Sequence, residues 1–557
     1  MATAPGILIR NLKIEHDAAL QAIQDEYNTT HPDISSPMII VDPYRCNPLA
    51  ALICLHTDQG AQLTVTIENS IGESDITFIF PAEGFEQEHF IPIAGLYAAT
   101  DNNIRVVFNF EDQTTQTAEY TVTTDSLPVS SVLLPTIREP DGFSYTKNTS
   151  LMESGFTFMA PQSAYPIGVD ANSNIRWLLT GDYVNTEWSA IERLANGNFL
   201  MSFGFYELRE VDIIGRCVRQ MMLNSRMHHD WFELDNGNLL ITTEDPEHPD
   251  NYVMDVTAII DYPNSAGNIS EFRLREVLDT TRIAIPNVNA QGPEDEKDWF
   301  HNNRSVYDPD TDSVIISGRH QNAIVSIKAS GGALDHVLTI DDINWIMGPH
   351  TYWGPEYQDK LLTPVDGEGQ PIPDIPGMLS FWNWGQHSVT LPADQPADAE
   401  LTDIIIFNNG NYRNYDESQQ IAATHNFSRG ERFRINSSAM TINLMPSLTP
   451  DPYIDSIRNR YYGSFVGSVR DYSATSLVNH GGICLNDADV NVGTHWGDPD
   501  NDGSVTTIYP HVCVYESHKA TKEIIWAMEF SWDAYPYFIF YNFKAFRAPM
   551  YPDALFG

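Results

Sequence analysis

Histidines mark the places in this sequence where chemistry is most legible. His228 and His229 lie side by side before Asp230 and Trp231, and His301 stands in Trp299-Phe300-His301-Asn302-Asn303-Arg304. Arg319 and His320 follow Ser317 and Gly318, and His387 ends the run Trp382-Asn383-Trp384-Gly385-Gln386-His387. Three imidazoles and a guanidinium suit two chemistries. One is a histidine metal site. The other is an anion site, where imidazoles and an arginine donate hydrogen bonds to a tetrahedral oxyanion. Arg319 argues for the second, because a fixed cation beside a metal is unfavourable. Any one of these histidines, taken alone, is more simply a satisfied structural residue. Their recurrence at matching places in a repeat weakens that reading.

The repeat is what must position them. The stretch 191–202, IERLANGNFLMS, aligns with 231–242, WFELDNGNLLIT. Each reads as a strand, an Asn-Gly turn and a second apolar strand. Residues 306–317 share that outline with another turn, and 400–410 offer a further strand and turn. A period of about 40 residues built from hairpins predicts a β-propeller. Equivalent positions of its blades converge on the central axis, so His229, His301 and His387 are placed to meet. Insertions at 245–251 and 364–377 interrupt the period. Ahead of the repeat, 12–32 reads as a helix, and 61–69, 74–82 and 103–111 read as strands of a small sandwich. The Pro-rich stretch 124–140 reads as a linker.

Composition narrows the function. The chain has 557 residues, 31 Lys+Arg against 75 Asp+Glu, and a net charge of −44. That surface repels nucleic acid and anionic membranes. An anionic substrate would need local positive charge at its site. No GxSxG and no P-loop occur, and Asp498, Asp500, Asp502 and Gly503 make only a turn, since Tyr509 stands where a calcium loop needs Glu. No apolar run is long enough to span a membrane. The start has no basic segment followed by an apolar one, so either the protein is cytoplasmic or the chain begins at the mature N-terminus. Five cysteines without a CxxC exclude zinc ribbons and leave at least one thiol unpaired. Cys46–Cys54 and Cys484–Cys513 are conceivable disulfides, and Cys217 completes the set.

Segments 165–179, 228–240, 299–327, 346–372, 385–391 and 404–413 resemble the bacterial arylsulfate sulfotransferase family. The ending FYNFKAFRAPMYP (540–552) and the early DPYRCNPLAALICLHT (42–57) are similar to it as well. The resemblance implies an all-β chain. A small N-terminal β-sandwich with a leading helix would occupy 1–137, and a six-bladed β-propeller 138–557. It implies ping-pong transfer of a sulfuryl group from an aryl sulfate to a phenol through a sulfohistidine, with no nucleotide, cofactor or metal. It places the nucleophile on His387 and the sulfate-binding groups on His229, His301, Asn303 and Arg319. His228 rivals His229, because adjacent histidines leave the register open. The family is usually periplasmic and commonly dimeric, so the resemblance admits a periplasmic homodimer. A propeller that only binds, and a metal-dependent propeller hydrolase, are the competing readings.

Overall fold

Glycine closes the repeated hairpins in the same way twice. Gly197 and Gly237 have φ of 87° and 79°, a left-handed backbone that other residues adopt only under strain. In both turns the glycine N–H donates to the leucine three residues earlier, at 2.9 Å to Leu194 and 2.8 Å to Leu234. In both, an asparagine side chain also accepts from the second residue on, Asn196 from Asn198 and Asn236 from Asn238, each at 3.0 Å. The computed structural model describes residues 10–69, 74–128, 133–140, 145–184, 190–245, 252–265, 267–282, 297–373, 381–446, 448, 460–486, 491, 493, 509–531 and 540–552.

Hairpins build six sheets, the blades of a β-propeller, antiparallel except where Thr363–Val365 joins Thr441–Leu444 in parallel at the outer edge of the fifth. The inner strands, from the second blade to the sixth, are Ile191–Arg193, Met227–Glu233, Asn302–Asp308, His387–Thr390 and Ser468–Asp471. The first blade takes its inner strand from the other end of the chain, Ala545–Ala548, paired with Phe156–Met159. The ring closes a second time at the sixth blade. There Thr136–Arg138 pairs with the outer edge of Ile524–Ser531. Pairing covers an edge that would otherwise offer unpaired backbone groups to other chains. Arg138 also donates to Glu529 at 2.7 Å, and His511 meets the same carboxylate at 2.7 Å. The stretch expected as a linker thus ends in a structural strand.

The sandwich hangs on one long strand, Ala50–Ile67. Its first half pairs with Met38–Val41 and Glu86–Ala94, and its second half with Ile76–Phe80 and Asp101–Phe110. The register with Glu86–Ala94 slips between His56 and Ala61, where the strand turns from one layer to the other. Alternate residues Ile53, Leu55, Leu63 and Val65 point inward and are fully buried with Ile91, Val106 and Phe108. That core runs on into the propeller through Val169, Val512 and Met528. The helix Leu12–Thr30 is capped by Asn11, whose side chain accepts from Ile14 N–H, and stops where His31 turns left-handed. His16 on its buried face accepts the Cys217 N–H at 2.8 Å, pinning the helix to the second blade.

All five cysteines are buried and none is in a disulfide, so neither conceivable bridge forms. Cys54 sits opposite Met38, while Cys513 faces His480 and Cys484 faces Pro510. Cys46 Sγ instead donates to the Gly215 carbonyl at 3.1 Å. Among the described residues, no helix is long and apolar enough to cross a membrane. The aspartate-rich turn at 498–503 lies outside the described residues.

Candidate active site

Three inner strands break their own pairing where the histidines sit. The register shifts between Met227 and Trp231 in the third blade, Asn302 and Arg304 in the fourth, and His387 and Thr390 in the fifth. At each irregularity a non-glycine residue takes a left-handed backbone: His229 at φ 59°, His301 at 54° and Ser388 at 56°. Such residues cost about 1–3 kcal/mol each and persist only where the surroundings hold them. Bulges re-aim side chains. Here they turn three imidazoles toward one point on the axis.

His229 Nε2 lies 2.9 Å from His301 Nε2. The His387 ring centre is 5.8 Å from that of His229 and 6.4 Å from that of His301. Phe543, from the approach to the first blade's inner strand, covers His229 and His387 at 5.0 and 6.3 Å. His228 lies beside the group, 5.3 Å from His229 and 6.2 Å from His301 between ring centres. His229 is therefore the one of the adjacent pair that meets both His301 and His387. Burial holds all three imidazoles well below the usual histidine range. Next in weight is the charge of Arg319 for His301 and His387, and of His301 for His229. At neutral pH they carry lone pairs rather than charges.

Two of the three are oriented through Nδ1. His301 Nδ1 meets Asp298 Oδ2 at 2.6 Å, and His387 Nδ1 meets Asn409 Oδ1 at 2.7 Å. Arg319 is held through both ends of its fork. Nη1 is 2.8 Å from His320 Nε2, and Nη2 donates to the Ser464 carbonyl at 3.3 Å. His320 Nδ1 in turn donates to the Asp298 carbonyl at 2.7 Å, and its ring stacks on His301 at 4.4 Å. Asn303 braces the backbone on both sides of His387. It donates to the Gln386 carbonyl at 2.8 Å and accepts from Ser388 N–H at 3.3 Å. Its place beside the site is thus also a structural one.

The ligand atoms of His229, His301 and His387 lie within 4.8 Å of one another, as do those of Asp298, His301 and His320. Either trio has the donor types of a metal site. Arg319 opposes both. Its guanidinium engages His320 Nε2, which removes that nitrogen from the second trio. Its charge also weighs on all three imidazoles of the first.

Residues 144–534 match the family model described as arylsulfotransferase (ASST), and 38–125 match that of the arylsulfotransferase Ig-like domain. The chain belongs to the arylsulfotransferase family. It is similar to the "Arylsulfate sulfotransferase AssT" of Escherichia coli, at 23% identity over 491 residues covering 72% of this chain and 78% of that protein. A second relative of that name, from Lelliottia amnigena, is 23% identical over 445 residues, covering 64% of this chain and 71% of its own. Among solved structures, the β-propeller domain of Myceliophteria thermophila Cps50 (Swd1) covers 68% of this chain and 87% of its own at 9% identity. Its TM-score is 0.28, too low to bear on function.

This arylsulfotransferase carries one further feature at the axis that the sequence did not reveal. Deeper along the inner strands, Asp230 and Glu192 meet Arg304, Arg470 and Lys544. Lys544 Nζ is 3.0 Å from Asp230 Oδ1 and also pairs with Glu192; Arg304 pairs with Asp230, and Arg470 with Glu192. The five side chains come from five of the six blades. Burial pushes Glu192 up, yet Arg470 and Lys544 outweigh it and hold the carboxyl down at about 2. Lys544 is brought down to about 8 by burial and then by Arg304. Three cations against two carboxylates leave one net positive charge beneath the histidines.

Proposed function

We propose that this chain moves a sulfuryl group from an aryl sulfate to a phenol in two steps, carried between them on His387 Nε2. The observation that supports this most is the convergence of three uncharged imidazoles with Arg319 on the axis of an arylsulfotransferase propeller. In the first step Nε2 attacks sulfur. The N–S bond forms as the ester O–S bond breaks, and phenolate departs with the bonding pair. In the second, the acceptor oxygen attacks the same sulfur and the N–S bond breaks. His301, with Asp298 on Nδ1, presents Nε2 as the base that takes the acceptor's proton. Phenolate leaves the first step as the anion and takes its proton from solvent. Asp298 stabilises the His301 imidazolium that the second step forms, which then releases its proton to solvent. Arg319, His229 and the net positive charge below hold the sulfuryl oxygens against a chain of −44. The proposal keeps the division of the chain at about residue 137, with Thr136–Arg138 straddling it. Periplasmic residence, a homodimer and independence from any cofactor are carried by the family likeness alone.

Varying donor and phenol together should give parallel double-reciprocal lines, since a covalent carrier separates the two half-reactions. Intersecting lines would mean direct transfer in a ternary complex. Chelators should leave the rate unchanged; loss of activity on chelation, restored by metal, would favour the hydrolase reading that the histidine trio also fits. The pH dependence has a definite sign. The nucleophile is active when neutral and its pKa is lowered, so kcat/KM for the donor should stay level as pH falls through about 6.5 and decline only below that. An acid limb at or above the ordinary histidine value would contradict a buried, uncharged His387.

A further inference from the structure

Asn409 follows the strand Leu401–Asn408 and is wholly buried. Its Nδ2 donates to the Gly463 carbonyl at 2.7 Å and the Val466 carbonyl at 2.8 Å. Carbonyl oxygens only accept, so these two bonds settle which way the amide points. Oδ1 must face His387 Nδ1, 2.7 Å away. Oδ1 carries no hydrogen, so the hydrogen between them belongs to Nδ1. A neutral imidazole has one N–H, and the lone pair is left on Nε2.

We propose that Asn409 is the positioning residue that locks His387 in its Nδ1–H tautomer and so directs the Nε2 lone pair at sulfur. This rests on His387 being the sulfuryl carrier. The choice of an amide has a physical reason. An aspartate would also accept from Nδ1, but it would lose both donations to Gly463 and Val466. It would also set a negative charge beside an incoming anionic ester. The amide orients without repelling. When Nε2 bonds to sulfur the ring becomes cationic, and the Nδ1–H···Oδ1 bond strengthens at that moment. The same loop fixes the anion clamp, because the Ser464 carbonyl accepts from Arg319 Nη2. Residues 463–466 therefore set both the nucleophile's tautomer and the position of its cation.

The test uses the whole enzyme with ring-15N histidine and a chromogenic aryl sulfate. Long-range 15N–1H spectra report which nitrogen of His387 carries hydrogen, the resonance being assigned by its loss in His387→Asn. The wild type should show hydrogen on Nδ1, and Asn409→Leu a mixture or the opposite tautomer. Single-turnover labelling of His387 should slow by about 100-fold in Asn409→Leu, short of the ~10⁴-fold that a wrong tautomer costs a serine protease. Donor affinity should stay within about threefold, since only transition-state stabilisation is lost. Asn409→Gln, which keeps the amide, should recover part of the rate. Hydrogen on Nε2 in the wild type would overturn the inference even if no variant folds, and so would unchanged labelling in Asn409→Leu. A correct tautomer with no label on His387 would instead sink the carrier reading, and with it the lone pair's role at sulfur, while the tautomer lock itself would stand.

Discussion

His387→Asn should leave an enzyme that folds, binds donor and never becomes sulfated. Wild-type enzyme mixed with aryl sulfate and no acceptor should gain about 80 Da, one SO3, on the peptide containing His387, and lose it when phenol is added. The label should be acid-labile, as expected of a sulfuryl group on imidazole nitrogen. The variant should show no such mass. Turnover should fall on the order of 10⁶-fold, the scale seen when a hydrolase loses its nucleophile. The fold should survive for a local reason. Asparagine has an N–H donor near the position of Nδ1, so the Asn409 acceptor keeps a partner and Asn303 still braces residues 386 and 388. His229→Asn and His301→Asn should slow labelling without abolishing it, because those rings bind and relay protons rather than bond to sulfur. A label found on His301, or a His387→Asn enzyme that still accepts sulfate, would overturn the assignment of roles while leaving the family unchanged.

The propeller was legible because its hairpins obey local rules. Two Asn-Gly turns about 40 residues apart already announce a repeat, and the turns are superimposable in their hydrogen bonds. The histidines were legible through that repeat, since matching positions must converge on the axis. What escaped depends on register and on partners far away in sequence. Whether His228 or His229 faces His301 turns on bulged residues, and nothing local announces a bulge without glycine. Asp298 could have been found, because it stands three residues before His301 in the same loop. Asn409 could not be singled out, since its meaning lies in carbonyls 54 and 57 residues downstream. The ion cluster of Glu192, Asp230, Arg304, Arg470 and Lys544 joins five blades, and its members look like ordinary strand charges until the ring closes. Thr136–Arg138 read as a linker because three residues carry no periodicity; their pairing is decided by the edge they cover.

Arg319 is where the charge problem of this chain is most sharply posed. A protein of −44 must hold an anionic ester at a buried site, and uncharged imidazoles contribute hydrogen bonds but no net charge. The five-member cluster below supplies one positive charge already engaged with carboxylates. Arg319 is a cation placed among the imidazoles themselves: it reaches His320, whose ring stacks on His301 at 4.4 Å, and its charge lowers the proton affinity of His301 and His387. Arg319→Ala should therefore lose about 3 kcal/mol of transition-state stabilisation, on the order of 10²-fold in kcat/KM, as when one oxyanion donor is removed. Arg319→Lys should recover little. The fork reaches His320 Nε2 with one end and the Ser464 carbonyl with the other, and a single ammonium cannot span both. A further sign separates this from mere loss of packing. Arg319 lowers the proton affinity of His387 and His301, so its removal should move the acid limb of kcat/KM upward in pH. A variant that lost the rate without that upward shift would make Arg319 a structural brace for the His320 loop. A variant with near-normal kcat/KM would remove it from the sulfate site altogether.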